Sequence, residues 1–315
     1  MVPAADFRSY YGRPILKRPV WRHDIPAYFF TGGLAAGCAL LAAGADLTGR
    51  RGLRRAGRLT AVAALGASTY FLVNDLGRPA RFHHMLRVAK PTSPMSVGTW
   101  ILAGFAPAAG LAAAAEVAPG LVPRPVGRLA GLAAAGLAPA LATYTGVLIA
   151  DTAVPSWHEA YRELPFVFAG SALASAAGVG LLAAPLDEQG PARRLAVAGA
   201  AVELAGSHRV ETRLGLLSEP YRTGRAGRLL RTGRALTAAG VAGALLGRRS
   251  RVLSALSGAA LLTASALTRF GIFAGGVAST EDPKYTVVPQ RERRDQRTSS
   301  VTPSDRAGDS SPTTG

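Results

Sequence analysis

"PAYFFTGGLAAGCALLAAGA", residues Pro26–Ala45, contains twenty residues and no charge, and Ala and Gly make up more than half of it. At 1.5 Å per residue an α-helix of that length spans about 30 Å, the thickness of a hydrocarbon layer. Its small residues suit close helix–helix approach in lipid. Seven further blocks of the same kind follow: Leu59–Leu76, Val97–Ala118, Leu129–Ala150, Leu164–Ala184, Leu195–Gly215, Ala235–Leu246 and Val252–Val277. The seventh is short and borrows residues from Leu229 onward, and the sixth is interrupted by Glu203, His208 and Arg209. The pattern predicts an all-α integral membrane bundle of eight transmembrane helices with both termini on one side, side A. A polar segment (1–25) with no cleavable signal peptide precedes the bundle (26–279). A polar tail (280–315) follows it, rich in Ser, Thr, Pro and charge and expected to be disordered from about 291.

Composition agrees. Of 315 residues, 49% are hydrophobic and 17% charged, fewer charges than a soluble domain of this size would carry. The formal charge is +17, but the arginines fall in short loops between apolar blocks rather than on an aromatic-interleaved surface, which excludes nucleic acid as a partner. Anionic headgroups or an acidic protein fit better. Both sides are basic, with "RRGLRRAGR" at Arg50–Arg58 on side B and the stretch Arg209–Arg234 on side A, so loop charge does not orient the chain. Cys38 is the single cysteine, so no iron–sulfur cluster can be held by a cysteine set of this chain and no intrachain disulfide can form.

Polar residues at helix ends gather on side A by the crossing count: His23, Asp75, Arg78, Tyr144, Asp151 and His158, with Glu203 nearer the middle. Ionisable groups cost a few kcal/mol in the hydrocarbon layer, so they face partners or a wet cavity. Tyr144 and Asp151, seven apart, lie about two turns apart on one helical face. A quinone suits a pocket so lined, because its ring wants apolar walls, its two oxygens want donors and its reduction needs protons. His23 and Tyr144 are the candidate donors, Asp75 and Asp151 the candidate proton carriers, and Arg78 the group that holds Asp75 ionised or offsets negative charge on the ring. Simpler roles exist for each: an interfacial aromatic at Tyr144, a headgroup anchor at His23, a local Asp75–Arg78 pair, a cap at Asp151 and an interhelical ion pair between Glu203 and Arg269. The adjacent His83 and His84 read as solvated loop residues. The five histidines sit at ends and in loops, so no haem and no metal site is expected. No phosphate-cradling, zinc-hydrolase or serine-hydrolase motif occurs.

Four long stretches, "NDLGRPARFHHMLRVAKPTSPMSVGTWIL" (Asn74–Leu102), "YTGVLIADTAVPSWHEAYRELPFVFAGSA" (Tyr144–Ala172), "ELAGSHRVETRLGLLSEPYRTGRAGRLLRTGRALT" (Glu203–Thr237) and "TRFGIFAGGVASTEDPKYTVVPQRER" (Thr268–Arg293), resemble the NrfD/polysulfide reductase membrane-subunit family. The resemblance runs from about Trp21 to Arg293. It implies an eight-helix anchor in the bacterial cytoplasmic membrane that binds menaquinone or ubiquinone as an exchangeable substrate and carries no cofactor of its own. It implies as partners a ferredoxin-like iron–sulfur subunit and a molybdopterin oxidoreductase subunit. By position, His23 and Tyr144 resemble the family's quinone contacts and Asp75 its proton-transfer acid. Two other functions suit the sequence, a proton-translocating subunit using Asp75, Glu203 and Arg269, and a purely structural anchor.

Overall fold

A computed structural model describes residues 14–301. Eleven α-helices occur among them: α1 (Asp24–Leu47), α2 (Arg51–Asn74), α3 (Pro94–Val117), α4 (Arg124–Ala150), α5 (Pro155–Glu159), α6 (Leu164–Ala183), α7 (Gly190–Arg213), α8 (Glu219–Arg222), α9 (Gly224–Leu246), α10 (Arg251–Glu281) and α11 (Lys284–Val301). Short 3-10 turns at Pro79–Leu86 and Gly215–Ser218 complete the described connections, and no strand occurs among the described residues.

Eight of these helices have twenty or more residues, one for each apolar block of the sequence. Six of them, α1, α2, α3, α4, α6 and α10, are long and apolar enough to cross a membrane. Helices α7 and α9 are as long but more charged: α7 carries Arg193, Arg194, Glu203, Arg209, Glu211 and Arg213, and α9 carries Arg225, Arg228, Arg231 and Arg234.

Helix α1 lies at the centre, against α2, α4, α6 and α10. Its small residues allow this. At Gly37 the backbone of α6 comes so close, at Ala172, that no side chain fits. Helices α6 and α10 meet the same way at Gly178 and Gly258, where a side chain on either would strike the other's carbonyl oxygen. Larger groups fill the half where α1 begins, with the ring of Phe29 of α1 tilted at 49° to that of Phe168 of α6, 5.9 Å away.

Successive long helices alternate in direction. The end where α1 begins is called the upper end. There Asn74 Nδ2, closing α2, donates to Asp24 Oδ2 at the start of α1 (3.1 Å), and Arg213, closing α7, pairs with Glu163 just before α6 (2.7 Å). Trp157 of α5 is fully buried at the same end and donates its indole N–H to Ile272 O of α10 (2.9 Å). Arg18 and Glu281 pair across it at 3.6 Å. The lower end carries Leu53 N–H on Glu188 (2.8 Å) and Arg193 Nε on Ala244 O (3.1 Å).

Three sequence expectations are corrected. Helix α2 begins at Arg51, not Leu59, so most of the arginine run is helical, and Arg58 is buried against acids of α1 and α3. Helix α9 reaches back to Gly224, because Arg225 and Arg228 stay exposed while Ala226 and Gly227 face the bundle. The tail, expected disordered from about 291, is helical to Val301. It meets α5 through an Arg293–Glu159 ion pair (3.3 Å) that composition does not reveal. The rest of the expected disordered tail, 302–315, lies outside the described residues.

Candidate functional site

A cavity of about 270 Å³ lies at the upper end between α1, α2, α3 and α4. Ile25 and Tyr28 of α1, Leu72 of α2, Met95, Thr99 and Leu102 of α3, and Tyr144 and Leu148 of α4 form its walls. Asp75, Leu76 and Met85 from the α2–α3 connection close one side, and Val20 and Trp21 cover another. The volume sits just below the roughly 300–1,000 Å³ of ligand pockets. It has room for one substituted ring.

Three polar side chains define its chemistry. Tyr144 sits one helical turn and a half from the end of α4, with its ring directly on the Cα of Gly98 of α3, where no Cβ could be placed. Tyr28 occupies the facing wall. Neither phenol hydroxyl has a hydrogen-bond partner among the described residues, although both residues are over 90% buried. Each hydroxyl is therefore left free to donate to a group in the cavity. Asp75, the residue after α2, is half-buried, and that burial raises its carboxyl above the usual carboxylate range. The Arg22 backbone N–H and guanidinium oppose the rise, while the neighbouring Asp24 carboxylate adds to it.

The other expected site residues lie elsewhere. His23 is exposed and opens on a second, wider space of about 740 Å³ between the starts of α1 and α9 and the end of α10. Trp21 stands in the wall of both spaces, its ring 6.2 Å from that of Trp157. His23 and Tyr144 therefore share an end of the bundle but not a cavity. Arg78 is exposed, and the cation beside Asp75 is Arg22. The chain turns outward at Gly77, whose φ of 67° suits glycine, and this carries Arg78 away from the bundle. Asp151 follows the last residue of α4, is exposed, and lines neither space. His83 and His84 are exposed in the 3-10 turn, their rings edge to face at 4.4 Å.

Sequence reading missed Tyr28. It lies within the first apolar block and passes there for one more aromatic. The available signal was its place one turn below His23 and Asp24, with a hydroxyl that an apolar wall does not satisfy.

Deeper in the bundle, Glu203 and Arg269 do not form the expected ion pair. Glu203 Oε1 accepts from Thr268 Oγ1 (2.6 Å), and Arg269 Nη2 donates to Phe168 O (2.7 Å) with its guanidinium 3.9 Å above the Phe168 ring. Glu203 Oε2 and Arg269 Nε and Nη1 are buried without hydrogen-bond partners among the described residues. Gly33 of α1 leaves the room that the guanidinium occupies.

The family model described as polysulphide reductase, NrfD, matches residues 15–204. The chain belongs to the NrfD family. The match takes in α1 to α6, all four walls of the 270 Å³ cavity, and α7 as far as the residue after Glu203. Helices α9 and α10, which line the wider space beside His23, lie beyond it. No curated protein matches the chain. Together with six helices fit to cross a membrane, membership makes this NrfD protein a multi-pass membrane protein.

Proposed function

We propose that this chain is the quinone-reactive membrane subunit of an oxidoreductase complex in a bacterial cytoplasmic membrane. In this reading it passes electrons between menaquinone or ubiquinone and a ferredoxin-like iron–sulfur subunit of a molybdopterin enzyme. Helices α7 and α9 would accompany the six apolar helices as further crossings, placing both termini on one face. The observation that carries the reading is the meeting of two unpartnered phenols, Tyr28 and Tyr144, with the raised carboxyl of Asp75 around one ring-sized cavity. The residues fit the group. The cavity's aliphatic and thioether walls suit the ring, the phenols can each donate to one oxygen, and Asp75 can exchange a proton with the upper surface. A bound quinone supplies the two-electron chemistry. His23, on the wider space next door, would act at the approach and not on the ring.

Family membership supports the partners. The chain's only cysteine cannot hold a cluster, so electrons would come from another subunit. Arg222, Arg225 and Arg228 form an exposed basic edge beside the wider space, suited to steering an acidic partner to this end.

Tyr144→Phe and Tyr28→Phe each delete one donor and leave the wall intact. In the purified complex each variant should assemble normally and lose about three- to tenfold in quinol turnover, the worth of one neutral hydrogen bond. Unchanged turnover in both would remove the cavity as the quinone site.

A proton-translocating role has one observation in its favour, the buried and unsatisfied atoms of Glu203 and Arg269. Under that reading, Glu203→Gln abolishes the pH change in vesicles beyond the scalar protons of quinone chemistry while electron transfer continues. A pH change equal to the scalar protons alone, already in the unaltered protein, would rule the role out.

A further inference from the structure

The lower end carries a groove of about 500 Å³ where α1 and α3 end and α2 and α4 begin. Its floor is a closed ion-pair network. Arg54 pairs with Glu116 (2.6 Å) and Asp46 (3.0 Å), and Arg58 pairs with Glu116 (2.9 Å) and Asp46 (3.1 Å). Both acids are thereby committed to two guanidinium groups. Arg51, Arg124 and Arg128 line the same groove, are exposed, and make no ion pair or hydrogen bond with any described residue. Five cations thus face two anions, an excess of three positive charges.

Local helix energetics oppose this arrangement. Arg51 and Arg124 open α2 and α4, where the helix dipole already presents positive partial charge; neither first turn has an acid of its own, and Glu188 answers the α2 end alone, accepting from Leu53 N–H (2.8 Å). Helix α4 starts from Pro123 with no side-chain cap. The unpaired guanidiniums, beside the uncapped start of α4, therefore point to one missing anion. The flanks say which kind. Leu47, Val117, Leu121 and Leu129, next to the groove residues in sequence, are each at least 60% exposed and offer apolar surface beside the basic rim. All four contributing helices are apolar enough to cross a membrane, so the rim falls at headgroup depth.

We propose that this groove binds the phosphate of an anionic phospholipid. Arg124 and Arg128 form a two-armed clamp, Arg51 the opposite arm, and the leucines and Val117 lie along the acyl chains. Guanidinium forks match phosphate oxygens in pairs, and basic recesses between spanning helices suit such headgroups.

The test is an equilibrium titration of the detergent-solubilised full chain with fluorescent phosphatidylglycerol, repeated with phosphatidylcholine and with inorganic phosphate as competitor. The unaltered chain should prefer phosphatidylglycerol, and millimolar inorganic phosphate should not displace it. Arg124→Gln and Arg128→Gln should each weaken it about fivefold, and the pair about thirtyfold. The single substitutions carry the test even if the pair fails to fold. Equal affinity in the variants, equal retention of phosphatidylcholine, or full displacement by inorganic phosphate would each overturn the proposal.

Discussion

Quinol turnover by the intact complex is expected to fall about a hundredfold or more on Asp75→Asn, the scale of a lost general acid–base group. The substitution keeps the size and much of the polarity of the side chain but removes its titration. Among the described residues Asp75 is the only carboxyl lining the 270 Å³ cavity, and it stands where α2 gives way to the exposed connection, so it reaches both the ring space and water. Burial raises its pKa, bringing it nearer to neutral pH, where exchange in both directions is efficient. The rate–pH profile should lose one limb together with the activity. A second readout follows from linkage. Because the folded-state pKa lies above the unfolded value, the folded chain holds the proton more tightly between the two. Stability contributed by Asp75 is present at low pH and is lost as pH rises through that window. Asp75→Asn should therefore melt no lower than the unaltered chain at neutral pH, and the comparison should shift in favour of Asp75 below the ordinary carboxylate range. Normal turnover with an unchanged pH profile would exclude Asp75 from proton exchange.

The largest loss of stability is expected from Arg58→Ala, about 3–5 kcal/mol, read as a lowered unfolding midpoint in detergent. Arg58 is 6% exposed and lodged against Gly131 of α4 while it bonds Asp46 and Glu116. Its removal leaves two nearly buried carboxylates to share Arg54 alone, with side chains 11% and 8% exposed. The cost comes mainly from those stranded charges, so adding Glu116→Gln to Arg58→Ala should recover part of it. Such non-additivity is what contacting charges produce. Two additive losses would show that Arg58 acts by packing only.

The helices were legible in the sequence because hydrocarbon thickness imposes a length that few soluble folds imitate. Block centres therefore fell within α1, α2, α3, α4, α6 and α10. Starts and ends were harder to read where charge and helix coincide. Arg51–Arg58 looks like a loop in one dimension, and only the approach of Glu116 from α3 lets a buried arginine continue α2. At the site, Asp75 and Tyr144 could be placed at one end by counting crossings. Counting cannot tell which side of Trp21 a residue falls on, and this separates His23 from the cavity. Nor can it show which way a chain leaves a turn, and this puts Arg22 rather than Arg78 beside Asp75. Tyr28 escaped because a hydroxyl inside an apolar run becomes informative only once its neighbours in space are known.

The network at the lower end also bears on how the chain enters its membrane during synthesis. Asp46 precedes Arg54 and Arg58 across a short turn, so the α1–α2 hairpin brings its own counter-ion for the arginines. Glu116 arrives a full helix later. Until α3 emerges, two guanidiniums share a single carboxylate, and isolated charges are costly in lipid. Order of translation thus sets the order of neutralisation: the first hairpin goes in with one of its two network arginines unmatched, and the third helix supplies the second carboxylate on arrival.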